Sequence, residues 1–231
     1  MNNNRSLLTF TGAACILLGV FLVVALICRM IGSGLDLIQT QGDSPDGIIE
    51  LLVNGWYQTS LVLLLVSYMI LVPVTVGIHA FLKKTANGFA LIGLAFGGIA
   101  FLLILLSQLI ETGLIFWLTP LGIQQSHSIK SDAFEIYRLV KYLRYPAVVP
   151  AILFFYFVGS AFRRLENPAR LVGILFLSEI PLIFFTAIFD QFEVRLATFS
   201  FALLAALAFS FAFIFAGWAI FNTGKDEPAP I

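Results

Sequence analysis

Charge is what this chain has least of. Asp, Glu, Lys and Arg make up only 11 % of its 231 residues, where a soluble domain carries about a quarter, so a water-facing shell cannot be built from it. The 13 basic and 13 acidic residues cancel. That removes the basic face a nucleic acid would need and the cationic tail of an electrostatic membrane switch. Histidine and cysteine number two each. His79 and His127 fall on opposite sides of the expected bilayer, so they cannot clamp a haem between them. Cys15 and Cys28 share the first apolar run and read as small packing groups. HExxH, CxxC, a glycine-rich phosphate loop and clustered carboxylates are all missing, and Ser160 in VGSA has no base within reach. No cofactor or metal is expected on these grounds, and catalysis is disfavoured.

Apolar sequence takes the place of charge. Hydrophobic residues form 60 % of the chain and mean hydropathy is +0.99. They come in runs near or above the roughly 20 residues that cross a hydrocarbon core, not in the alternating blocks of a membrane barrel. The expected fold is all-α: one polytopic membrane domain over 1–231, with six transmembrane helices at about 7–31, 58–82, 88–117, 145–162, 169–189 and 196–221. The first run is too long for the apolar core of a signal peptide. Glycine, proline and polar residues mark loops at 32–47 and 119–132, and the short turns KKTANG and RRLENPAR make their flanking helices antiparallel neighbours.

Lys83 and Lys84 in one short turn, with Arg163, Arg164 and Arg170 in the other, place those turns and both termini in the cytoplasm, as in a multi-pass plasma-membrane protein. Lys130, Arg138, Lys141 and Arg144 before the fourth helix weigh the other way. In FEIYRLVKYLRY (134–145), Ile136, Leu139, Val140 and Leu143 share a face opposite Glu135, Arg138, Lys141 and Arg144. This is the pattern of an amphipathic helix lying on the membrane surface ahead of Pro146, with Tyr137, Tyr142 and Tyr145 as anchors. The bland alternative is the end of the fourth span.

Small residues show where helices approach. Gly93, Gly97 and Ala100 form one stripe, and Ala205, Ala208, Ala212 and Ala216 another, among phenylalanines. Both read as packing stripes, with self-association through the first as the lesser alternative.

One ionisable group sits deep in an apolar run. Glu179, in LFLSEIPLIFF, has about nine apolar-rich residues on each side, and a carboxylate there needs a partner, a proton or a water-filled cavity, at about 2.5 to 3.5 kcal/mol on insertion scales. Pro181 cannot bond the Leu177 carbonyl, and Ser178 is placed to answer that freed group. Glu179 either fixes helix register through a buried hydrogen bond or presents a carboxyl to a ligand or proton pathway. Tyr68, Thr75 and His79 lie along one face of the second helix, while Gln108 and Glu111 read as a solvated end of the third, alongside Asp190 and Glu193 at the end of the fifth.

The turns within FLKKTANGFALIGLAFGG and SAFRRLENPARLVGILFL, in this order among the helices, resemble the uncharacterised bacterial membrane family catalogued as domain of unknown function 4386. The resemblance implies a bacterial plasma-membrane protein of about six helices, with no activity or functional residue to carry over. The leading expectation is a non-catalytic membrane component that binds a partner or small ligand, in contact with lipid and with another membrane protein or itself. The alternative is a small transporter using Glu179 as a solute or proton site, and a lipid-modifying enzyme ranks third.

Overall fold

Hydrocarbon offers the backbone no hydrogen-bond partner, so a chain this apolar satisfies its N–H and C=O groups within helices. The computed structural model describes residues 2–40, 45–118, 127–192 and 194–226. Among them every regular element is an α-helix: α1 (Asn2–Thr40), α2 (Pro45–Val53), α3 (Gly55–Leu118), α4 (His127–Phe162), α5 (Ala169–Gln191) and α6 (Arg195–Asp226). Five helices, all but α2, are long and apolar enough to cross a membrane. Large apolar side chains such as Val76, Leu102, Phe116 and Val149 stand exposed on the outside, as suits a surface solvated by lipid.

The longest helix is two. A straight α3 would run for about 96 Å at 1.5 Å per residue, but Ala86 leaves the helical region (φ −146°, ψ 54°) and the chain folds back. Gln108 Nε2 donates to the Leu61 carbonyl at 3.4 Å and the Tyr57 hydroxyl to Glu111 at 2.7 Å, so the arms on either side of Ala86 run antiparallel. The bend falls in the KKTANG turn. The helices close a ring: α1 packs on α3, α3 on α4, α4 on α5, α5 on α6, and α6 returns to α1.

With little hydrophobic drive between helices in lipid, close approach depends on small side chains and well-fitted contacts. A Cβ on Gly19 would stand 2.6 Å from the Ser210 carbonyl oxygen, and one on Gly12 2.9 Å from that of Gly217, so α1 and α6 nearly touch backbone to backbone. Gly159 and Gly173 do the same for α4 and α5. Gly93 and Gly97 seat Val158 and Phe154 of α4, so that stripe is occupied within the chain. Ala100, Ala212 and Ala216 are buried in the same core, while Ala205 and Ala208 are half-buried. At the centre Phe176 meets Phe154, Phe155, Phe162 and Phe213 at ring-centroid distances of 5.5 to 6.2 Å.

Two features depart from expectation. The expected loop at 32–47 is helical wherever it is described: α1 runs on to Thr40, and α2 begins at Pro45, where Pro45 and Asp46 open a helix in the usual way; Ile48, Ile49 and Leu52 of α2 form a second core with Tyr57, Leu114 and Leu118. The amphipathic stretch 134–145 is not a separate helix, since α4 continues through Pro146 and Pro150. Part of its apolar face has protein to cover it: Ala133 and Ile136 pack into the second core and Val140 is buried, while Leu139 stays exposed. The ion pair of Lys130 Nζ with Asp46 Oδ1 at 2.6 Å ties α4 to α2.

The same substitution should have opposite effects at two glycines. Gly98 has nothing within 4 Å of an added Cβ, so Gly98→Ala is expected to stabilise by up to about 1 kcal/mol through helix propensity. Gly19→Ala is expected to destabilise by about 1–3 kcal/mol through overpacking. Unfolding of the two variants in mixed micelles checks the contrast.

Candidate functional site

Polar side chains gather at the end of the bundle where α2 meets α3. Asn54, between those helices, accepts hydrogen bonds on Oδ1 from the backbone N–H of Trp56 (3.0 Å) and Tyr57 (3.2 Å), an N-cap for α3. Gly32 of α1 lets that cap come close, since a Cβ there would lie 2.6 Å from the Tyr57 nitrogen. The cap fixes Tyr57, whose side chain points into the bundle.

From Tyr57 a network crosses three helices. Its hydroxyl donates to Glu111 Oε1 at 2.7 Å and accepts from Arg29 Nη2 at 3.4 Å, and the Arg29 guanidinium carbon lies 5.2 Å from the tyrosine ring centre. Arg144 of α4 donates to Glu111 Oε2 through Nη2 and to Ser107 Oγ through Nε at 3.3 Å. Glu111 is completely buried, whereas 37 % of the Arg144 side chain remains exposed. Charge-assisted bonds to both carboxylate oxygens are the arrangement that offsets removal of this group from water.

The expectation of solvated helix ends at Gln108 and Glu111 is therefore overturned. Gln108 is 2 % exposed and Glu111 not at all, because α4 and α2 cover the arm that bears them. Arg144, expected as a loop charge, turns inward onto Glu111. Arg29, Tyr57 and Arg144 were missed as site residues, although a signal existed: Arg29 lies inside the first apolar run, where an ionisable residue marks a partnered position.

Next to the network lies a cavity of about 590 Å³, within the usual range for small-molecule sites. All six helices contribute to its largely apolar wall, and its polar margin consists of Arg29, Tyr57, Tyr68, Tyr137, Glu179 and Ser210. Glu179 belongs to the buried face of α5, following Val172, Gly173 and Phe176 at helical spacing. It is 1 % exposed, and its Oε1 has no hydrogen-bond partner among the described residues. Ser210 Oγ is already committed to the Ala206 carbonyl at 2.7 Å.

The other candidates lie elsewhere or act locally. Ser178 Oγ donates to the Leu175 carbonyl at 2.7 Å and not to the group freed by Pro181, and Pro181 itself faces outward. Thr75 bonds the Leu71 carbonyl. His79 is half-buried toward the Ala86 end, three turns from Tyr68, with Nδ1 unpartnered among the described residues. Asp190 accepts from the Tyr145 hydroxyl, and Glu193 lies outside the described residues. Of the candidates, Tyr68 and Glu179 share the cavity, and Gln108 and Glu111 support its wall through the α3 hairpin. Among the described residues no three His, Cys, Asp or Glu side chains gather as a metal site would require. No protein-family model, curated protein or solved structure matches the chain.

The two partners of the buried pair should not be equivalent. Arg144→Met leaves Glu111 buried with its Oε2 bond lost, and is expected to cost about 3–5 kcal/mol. Glu111→Gln leaves a half-exposed arginine able to reach water and should cost less, and Glu111→Gln combined with Arg144→Met should cost less than Arg144→Met alone. Denaturant unfolding of the three variants measures the order.

Proposed function

We propose that this protein is a six-pass, non-catalytic helical membrane protein that binds a small ligand in the cavity lined by all six of its helices. The observation that carries this reading is Glu179, a buried carboxyl in the wall of a cavity of about 590 Å³, whose Oε1 has no hydrogen-bond partner among the described residues. A buried carboxyl with an unpartnered oxygen is costly, and a ligand in the cavity that hydrogen-bonds this carboxyl offsets that cost. The alternative of a register-fixing interhelical hydrogen bond lacks a protein partner at that oxygen among the described residues.

The two arms of α3 supply the extra crossing beyond the five long helices. The turns at Lys83–Lys84 and at Arg163–Arg164 face the cytoplasm, with both termini, in the plasma membrane of a bacterium such as the resemblance suggests. Drawing Arg29 and Arg144 into the bundle supports that orientation, because the opposite side then presents fewer positive charges. A second reading, a transporter in which Glu179 exchanges a proton for the ligand, is favoured by the same carboxyl standing about ten residues from either end of α5. Another membrane protein or a second copy of the chain remains a partner for the lipid-facing surface.

The cavity reading has a direct test. The protein purified in lipid nanodiscs is expected to retain a small molecule detectable by native mass spectrometry, and Ala206→Phe, which fills the cavity, should release it while the protein stays folded. Retention unchanged by Ala206→Phe would sink the proposal. In proteoliposomes, proton flux driven by a gradient of that molecule and lost in Glu179→Gln would favour the transporter.

A further inference from the structure

Two basic turns far apart in the sequence form one patch at the Ala86 end of the bundle. Phe81, just before Lys83, meets Phe162, just before Arg163, at a ring-centroid distance of 5.9 Å. Beyond the bend, the Arg164 guanidinium carbon lies 4.2 Å from the centre of the Phe89 ring. Lys83, Lys84, Arg163, Arg164 and Arg170 are all exposed, and Glu166 is the one acidic residue of the two turns. Arg164 takes part in no ion pair among the described residues. The ring contact steadies its guanidinium through charge and quadrupole, and leaves the N–H fork for an anion such as phosphate.

An aromatic strip leads away from Arg164 along the outside of the bundle, where the second arm of α3 lies against α4. Phe157 of α4 meets Phe89 at 5.8 Å and Phe96 at 6.2 Å, the latter with the ring planes 5° apart. All three rings are half-buried, so each keeps part of its surface uncovered. Ile92 and Ile99, at helical spacing from Phe89 and Phe96, are exposed. So is Tyr156, edge to face with Phe157 at 5.3 Å. From Phe89 to Ile99 the strip runs about 15 Å at 1.5 Å per residue, half of a hydrocarbon core about 30 Å thick and so the depth of one leaflet. None of these residues lines the cavity.

We propose that this strip and the arginine above it hold an anionic phospholipid, its phosphate at Arg164 and one acyl chain along Phe89, Phe157 and Phe96. A soluble anion would use the arginine and leave the rings uncovered, and a plain hydrocarbon would do the reverse. The lipid headgroup has to carry net negative charge, because the ammonium of a zwitterionic one would stand among Lys83, Arg163 and Arg170 with only Glu166 to attract it.

Full-length protein in mixed micelles with equal amounts of phosphatidylglycerol and phosphatidylethanolamine, both carrying oleoyl chains, is expected to retain mainly phosphatidylglycerol by native mass spectrometry. Arg164→Gln should lower that retention about fivefold, the loss of one basic contact at a headgroup, with Arg164→Lys recovering part of it. Arg170→Gln makes the same change of charge in the same patch and should lower retention by less than about twofold, because an exposed charge away from the phosphate is screened. Phe157→Leu keeps every charge and should still lower retention, through the acyl chain. Arg164 is exposed, and a melting curve checks that each variant folds. Equal retention of the two lipids, equal losses in Arg164→Gln and Arg170→Gln, or full retention in Phe157→Leu overturns the proposal. Displacement of the lipid by glycerol phosphate also overturns it, and makes the occupant a soluble anion.

Discussion

Glu111 is the carboxylate on which one end of this bundle hangs. Its two oxygens take hydrogen bonds from Tyr57 and Arg144, and Tyr57 passes the link on to Arg29. Both arms of α3, then α4, then α1 are joined through a few atoms. In an aqueous protein water would share that work. The Glu111 carboxylate is fully buried, so its bonds have to come from the protein, and only the outer part of Arg144 is left exposed. Its cost is met locally by the Asn54 cap that aims Tyr57 and by the cover that α2 and the start of α4 provide.

Glu111 and Glu179 form an instructive contrast. Both are buried, and both sit on helices of otherwise apolar composition. The first is surrounded by donors on neighbouring helices. The second has phenylalanine, alanine and a committed serine near it, and a cavity beside it. A carboxylate satisfied by protein is a strut. Glu179 lines a cavity and has one oxygen without a partner among the described residues, and the functional proposal rests on that difference in surroundings.

Much of the architecture was legible in the sequence because hydrophobic run length and short basic turns are local signals. The bend at Ala86 falls within the turn marked by Lys83, Lys84 and Gly88, and α5 covers the expected span. What stayed hidden depends on which helices are neighbours. Glu111 looked like a helix end because nothing in its own segment announces Arg144, thirty-three residues away. Helix α2 was legible in principle, from its opening Pro45–Asp46 and the apolar Ile48, Ile49, Leu51 and Leu52, but the surrounding glycine and polar residues masked it. Glu179 stood out from its setting alone, whereas the cavity beside it is assembled from six helices and has no signature in any one of them.

Gly12 and Gly19 of α1 are seven residues apart, so their close approaches to the α6 backbone at Gly217 and Ser210 hold the pair at two points about 10 Å apart along the axis. Two points of contact fix an angle as well as a distance. A side chain added at one of them would splay the helices as well as separate them, and the displacement would grow along the axis toward Arg29 and the far wall of the cavity.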